Sequence, residues 1–354
     1  MREVTGVGSA HNTMLAGWKL LAAILCGSSL IGSPTFAEEK VRIIRNRDYA
    51  GFAEQGEIAI SPDGKTVGVA RGNRVRLWDV ATSKEKPRIA CKDTDSFVFL
   101  DNHTLAIADQ ILVRIWDTAT EKELFALELK NKVALAGNQI RASADGKTLI
   151  SFSIGATEDL RVWDMIRRKQ TEKVLSREIL WDAAITPNGR TIAWSESKAH
   201  VARIADVETG RVRAEFNLPE FKAPDRAFER LAIAPDGRKL ATVSRRAHIE
   251  RGMVTGYRDI LQIWDVGEPG KPMTIENTHS IQALNFFPDG KRIAVAGSAE
   301  NPEKKGLIAI YDVAKSKAIR TVSASELLLR IAICSDGKVL GALDRHGDVV
   351  LWEP

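Results

Sequence analysis

The chain has 354 residues, 44% hydrophobic and 27% charged, which is the composition of an ordinary globular protein. A polypeptide of this length buries a sizeable core without disulfide staples. Its net charge of +5 is spread along the sequence, with no Lys/Arg block and no reader motif, which argues against a dedicated nucleic-acid binder.

The first predicted element is a targeting segment. Lys19 is followed by the apolar run LLAAILCGSSLIG, residues 20–32, about the length of a signal-peptide core and too short to span a bilayer. SPTFA then places Thr35 and Ala37 at the −3 and −1 positions of a cleavage site. We expect residues 1–37 to be a signal peptide cleaved after Ala37, with translation starting at Met1 or Met14. The mature chain, 38–354, would then be periplasmic or secreted, with no membrane span. A lipid anchor at Cys26 is disfavoured because Leu25 stands where a small residue is needed.

Next comes KVRIIRN, residues 40–46, a strand with no neighbour in sequence to pair with. A repeat begins after it. SPDGK at 61 recurs as LDNHT at 100, SADGK at 143, TPNGR at 186, APDGR at 234, FPDGK at 287 and CSDGK at 334. In this turn Pro presets φ, Asp bonds its own backbone and Gly supplies positive φ. Interleaved with the turns are VRLWDV at 75, VRIWDT at 113, LRVWDM at 160, VARIADV at 201, LQIWDV at 261, IAIYDV at 308 and VVLWEP at 349. Short apolar runs rich in β-branched residues flank each turn, with no helical period. Each unit therefore reads as a hairpin, a third strand ending at Trp-Asp, and a fourth strand such as ELFALEL.

Seven such units predict an all-β chain, a seven-bladed β-propeller of four-stranded antiparallel sheets. The chain ends on a third strand at Trp352, so strand 40–46 is expected to supply the missing fourth strand of the last blade and tie the ring shut. Cys91 and Cys334 fall in different sheets and are expected to be free thiols.

The SPDG turn and the Trp-Asp strand end, repeated over 40–354, resemble the WD-repeat β-propeller family. Trp181-Asp182 opens a first strand and is out of register with this pattern. Family repeats carry a Gly-His pair before the first strand and an Asp before the third, hydrogen-bonded to a strand Ser/Thr and the Trp. Here no Gly-His pair is found, and the Asp position holds Gly72, Gln110, Thr157 or Arg258. The resemblance therefore implies a divergent member whose Trp indoles need other partners. The Tol-system periplasmic propeller is also similar in its turns, but not in its Trp-Asp strand ends.

No GxSxG elbow, HExxH, CxxC or phosphate loop is present, and the Trp-Asp aspartates are spread around a ring rather than converging. We therefore expect no catalytic residue, no cofactor and no metal. What exceeds the repeat is three insertions, 217–230, 245–258 and 298–306, which strand parity places on one face. Segment 245–258 carries Arg245, Arg246, Arg251 and Arg258 against Glu250. Lys222, Arg226, Lys304 and Lys305 add positive charge, and Phe221, Phe228, Met253 and Tyr257 offer apolar anchors. Arginines and aromatics are favoured at binding hot spots.

The expected function is a monomeric, non-catalytic scaffold whose loops bind a protein or peptide. Two alternatives remain. One is a channel enzyme, lactonase-like or metal-dependent, drawing on Asp93, Asp95, Glu178, Asp182, Glu229 or Glu326. The other is a polyanion or glycan binder using the 245–258 arginines.

Overall fold

A computed structural model describes residues 41–46, 56–94, 96–109, 111–128, 138–154, 160–198, 200–218, 221, 224–276, 280–298 and 306–354. Residues 1–37, where a signal peptide is expected, lie outside these residues. Residues 39–354 form one compact unit, and its described residues contain strands and turns but no helix. Consequently no described helix is long and apolar enough to cross a membrane; strand-built membrane barrels are a separate matter.

Seven antiparallel sheets follow one another along the chain. Their innermost strands are Glu57–Ile60, Ser96–Phe99, Asn138–Ala142, Leu180–Ile185, Arg226–Ile233, Ser280–Phe286 and Leu328–Ile333, which define blades one to seven. In blade one the second and third strands form a single run, Thr66–Asp79. This run doubles back at Gly72, where φ is +57°. Val80 at its far end donates its N–H to the Lys65 carbonyl at its start, 2.9 Å away.

The recurring turn has a recurring bond set. Ser61 donates its hydroxyl to Asp63 at 2.6 Å, and the Lys65 and Thr66 N–H groups donate back to Asp63 and Ser61. Ser143–Asp145 and Thr186–Asn188 repeat it, and Cys334–Asp336 reproduces it with a thiol. The Trp-Asp aspartates are likewise turn residues: Asp79 accepts from Thr82, Asp164 from Arg167 and Asp265 from Gly267. Cys91 and Cys334 are free thiols.

Apolar side chains gather into seven clusters, one at each blade-to-blade interface. The interface between blades seven and one closes the ring. There Val41–Ile44 pairs antiparallel with Val349–Trp352, with Ile44 opposite Val349. Ile44 is 5% exposed and packs with Ile58, Val67 and Trp78 of blade one, whereas Ile43 is 53% exposed. Asn46, the last described residue of this segment, donates its N–H to Asp348 at 2.7 Å and accepts from Arg76. The strand expected to shut the ring does so.

One glycine marks how closely blade six is packed. A Cβ built at Gly297 would lie 1.7 Å from the Ser280 carbonyl oxygen. We predict that Gly297→Ala forces the two strands apart and destabilises by about 2–3 kcal/mol, seen as a lower denaturant midpoint with an unchanged slope.

Candidate functional site

Segment 245–258 is not the loop the sequence reading expected. The second strand of blade five, Lys239–Glu250, and the third, Met253–Asp265, continue past the blade as a hairpin. Arg245 faces Asp259, Arg246 faces Arg258 and Glu250 faces Met253, with a bulge after His248. Arg251 and Gly252, at φ +51° and +78°, make the two-residue turn. Both central residues with positive φ match the twist that two-residue hairpin loops require. Apolar alternation in this insertion is confined to Ala247 and Ile249 between Arg246, His248 and Glu250, too short a run to mark a strand by pattern alone.

The base of this hairpin is an ion cluster. Arg245 donates from Nε to Asp259 at 2.9 Å and reaches Glu229 at 3.1 Å. The side chains of Glu229 and Asp259 are 8% and 3% exposed. The second Asp259 oxygen accepts the Ile281 N–H at 2.6 Å, which links blade five to blade six. Burial pushes the Asp259 carboxyl above the usual aspartate range, against the opposing pull of Arg245. Asp225 accepts the Ala247 N–H at 2.7 Å and pins the other side of the base.

Several residues expected at the surface lie elsewhere. Phe221 is 3% exposed and Phe228 fully buried, so neither is an anchor for a partner. Phe228 sits at φ +53° in a wide irregularity where Ala227–Glu229 bow away from the second strand, and its ring packs 5.8 Å from Trp264. Its N–H donates to Ser244 at 2.9 Å. The blade-forming repeat gives no sign of such a bulge, which turns a residue of an apparent loop into the core.

Arg246 lies over the Phe221 ring at 4.8 Å, and Arg226 over Tyr257 at 5.3 Å. Together with the Asp225 contact, these stacks bring segments 217–230 and 245–258 onto one patch. Residues 299–305 of the third insertion, with Lys304 and Lys305, lie outside the described residues, as does Lys222. Arg251, Met253, Tyr257 and Arg258 are exposed on the hairpin. Ile249 and Val254, which the sequence reading passed over, join them as exposed apolar side chains.

The Trp indoles differ from blade to blade: among the described residues the Trp116 and Trp352 Nε1 groups are buried without a hydrogen-bond partner, whereas those of Trp163 and Trp264 are satisfied. Trp163 donates to Ser151 and Trp264 to Thr242, each at 2.9 Å. The strand Ser/Thr partner thus survives without a Gly-His pair. Among the described residues, Asp109 is buried between second and third strands, Asp344 at the end of the second strand of blade seven and Asp259 within the third strand of blade five; Asp109 and Asp259 each stand one residue beside the positions Gln110 and Arg258 where the repeat pattern looked for an Asp.

A second site lies inside the ring. A cavity of about 290 Å³ at one end of the channel is lined by Glu57, Gln139, Arg141, Asp182, Arg230, Gln282 and Arg330, among others. Arg141 stands 3.9 Å from Glu57 and 4.0 Å from Asp182, and Arg330 stands 3.4 Å from Glu57. Asp182 accepts the Ala183 and Leu231 N–H groups at 2.9 and 3.2 Å. Burial raises the Asp182 carboxyl and lowers the Arg230 guanidinium from their ordinary values.

Of the other acidic residues weighed for the channel, Glu229 belongs to the hairpin base, and Glu326 pairs with Arg345 at 2.9 Å on blade seven. Glu178 is exposed, and Asp95 lies outside the described residues. Among the described residues no group of three or more His, Cys, Asp or Glu is placed to hold a metal ion.

No family model matches the chain. Protein groucho from Drosophila melanogaster is 28% identical over 109 residues, 28% of this chain and 14% of that protein. Transducin-like enhancer protein 2 from Mus musculus is 28% identical over 109 residues, 28% of this chain and 13% of that protein. The chain thus matches under one-sixth of the length of these curated relatives. Among solved structures, Kuenenia stuttgartiensis Hydrazine Synthase superposes with a TM-score of 0.68 over 88% of this chain and 99% of that one, at 16% identity, which is a likeness of fold alone. The closed ring of seven blades makes this chain a β-propeller, and the repeated turns, the Trp-Asp strand ends and the partial likeness to these two proteins support a divergent WD-repeat propeller.

Proposed function

We propose that the protein is an exported, non-catalytic scaffold that presents the blade-five hairpin to a protein or peptide partner. One observation carries this reading. Four large apolar side chains, Ile249, Met253, Val254 and Tyr257, are 43–67% exposed on a single protrusion. A two-stranded hairpin is marginal by itself in water. This one is held at its base by Arg245 and Asp225 and carries its apolar residues outward, together with Arg251 and Arg258. Clustered exposed apolar groups with arginines match the composition of binding hot spots. Export is supported by the signal-like segment ending at Ala37.

The test uses residues 38–354 as bait against exported proteins of the producing cell, beside a bait carrying Ile249→Ser, Met253→Ser, Val254→Ser and Tyr257→Ser. These positions are exposed, so the melting temperature is expected to stay within about 2 °C. Capture of the partner is expected to fall about 10-fold or more, because losing buried anchors costs roughly 1–2 kcal/mol each. Equal capture by both baits contradicts the reading. Salt-sensitive retention of both baits on an acidic polysaccharide would favour the glycan-binding alternative.

The charged channel cavity favours a second reading, a channel enzyme. Turnover of a lactone or another small substrate by the purified chain, lost on substitution of Asp182, would support it over the scaffold.

A further inference from the structure

The seven inner strands bring one residue each to the same level of the channel, four positions before each turn. Around the ring from blade one these are Glu57, Ser96, Gln139, Asp182, Arg230, Ala283 and Arg330. Arg141, two positions deeper on blade three, reaches between Glu57 and Asp182. Followed round the ring, the charges alternate: Arg330, Glu57, Arg141, Asp182, Arg230. The alternation fails at blade six, where Ala283, with Gln282 and Asn285 beside it on the same strand, separates two arginines and supplies no carboxylate.

That gap has electrostatic and geometric consequences. Burial pulls the Arg230 guanidinium down, and repulsion from Arg330 adds to this against the opposing pull of Asp182. Arg230 gives two bonds to carbonyls, Glu229 at 2.9 Å and Gln282 at 3.2 Å, and Arg330 gives one to Leu329 at 2.9 Å. A guanidinium has five N–H groups, so each keeps donors beyond these. The inner strands of blades four to seven all shift register at the level of these side chains, between Leu180 and Asp182, Arg226 and Arg230, Ile281 and Ala283, and Leu328 and Arg330. Bulges of this kind re-aim side chains and are over-represented beside functional sites. Amide side chains at the gap, Gln282 and Asn285, offer neutral hydrogen bonds to the rest of a ligand. The cavity, about 290 Å³, sits at the lower end of ligand-pocket sizes.

We propose that the channel mouth binds a small organic anion, its carboxylate or phosphate group seated over Ala283 between Arg230 and Arg330. Such an anion completes the ring of alternating charge. Paired guanidiniums are the side chains best suited to hold planar or tetrahedral oxyanions bidentately. The site uses none of the exposed hairpin residues Ile249, Met253, Val254 and Tyr257, so it stands whether or not the hairpin binds a partner.

The experiment is titration of residues 38–354 with inorganic phosphate and with succinate, at ionic strength held constant with chloride, followed by melting temperature and calorimetry. A saturable rise with phosphate alone identifies a phosphate ligand, and with succinate alone a carboxylate ligand. Arg330→Gln and Arg230→Gln are expected to weaken binding roughly 10-fold or more. Ala283→Asp supplies the missing carboxylate from within. It is expected to fold, to melt no lower than the unaltered protein and to abolish the anion-dependent rise. Arg246→Gln, at the hairpin, is expected to leave the titration unchanged. No saturable effect of either anion over chloride overturns the proposal, as does an effect that persists undiminished in Arg330→Gln and Ala283→Asp.

Discussion

Ile44→Asp is expected to destabilise the protein by about 4 kcal/mol or more, while Ile43→Asp changes it by less than about 1 kcal/mol. Both residues are isoleucines on the same four-residue strand. Ile44 points into the cluster that joins blade seven to blade one, with Ile58, Val67 and Trp78 around it. An aspartate there is a buried charge with no partner and also removes the apolar contacts. Ile43 faces solvent at 53% exposure, so the same change costs little. Comparing denaturant midpoints of the two variants reads the register of the closing strand directly. Equal effects would mean that residues 41–44 do not close the ring.

Arg245→Ala is expected to cost about 3–5 kcal/mol, against less than about 1 kcal/mol for Arg246→Ala. Arg245 is the link between Glu229 and Asp259, whose side chains are 8% and 3% exposed. Removing it leaves two carboxylates close together and desolvated. Arg246 covers the face of Phe221 from solvent, and its loss exposes only part of that ring. The pH dependence separates a charge effect from a packing effect. The Asp259 carboxyl is already raised in the folded state. A raised carboxyl binds its proton more tightly when folded, so its effect on stability is most favourable below the unfolded value near 3.8 and is lost as pH rises through the folded value. Without Arg245 the folded value rises further. The penalty of Arg245→Ala should therefore shrink when unfolding is measured at about pH 4 rather than pH 7, whereas a pure packing loss would be independent of pH.

The blades could be read in advance because their signals are local. A turn of five residues and a strand ending in Trp-Asp each report their own geometry, and the Ser–Asp and Asp–backbone bonds lie within a few residues. The closing strand followed from counting strands rather than from any motif. The hairpin base was hidden for the opposite reason: Arg245, Glu229, Asp259 and Ile281 are separated by up to dozens of positions and meet only when blades five and six pack. Phe221 and Phe228 stood in an apparent loop, and only the positive φ of Phe228 and the bowed strand turn its ring inward. Trp181-Asp182 stands out of register with the repeat, and Asp182, one of the acidic residues weighed for a channel site, lies in the channel wall, because inner-strand residues four before each turn come close together there. Residue identity drew attention to the arginines and aromatics of the insertions. It could not tell those that pair within the fold from those left at the surface.

The scaffold reading is tested most directly by photo-crosslinking in the producing cell from a reactive residue placed at position 257, with position 124 as control. Tyr257 lies on the hairpin at 43% exposure, and Leu124 on an outer strand of blade two at 51%. The reading predicts a discrete protein adduct from 257 that is absent from 124. An adduct from 124 with none from 257, or the same adducts from both, would contradict the assignment of the hairpin as the partner-binding element.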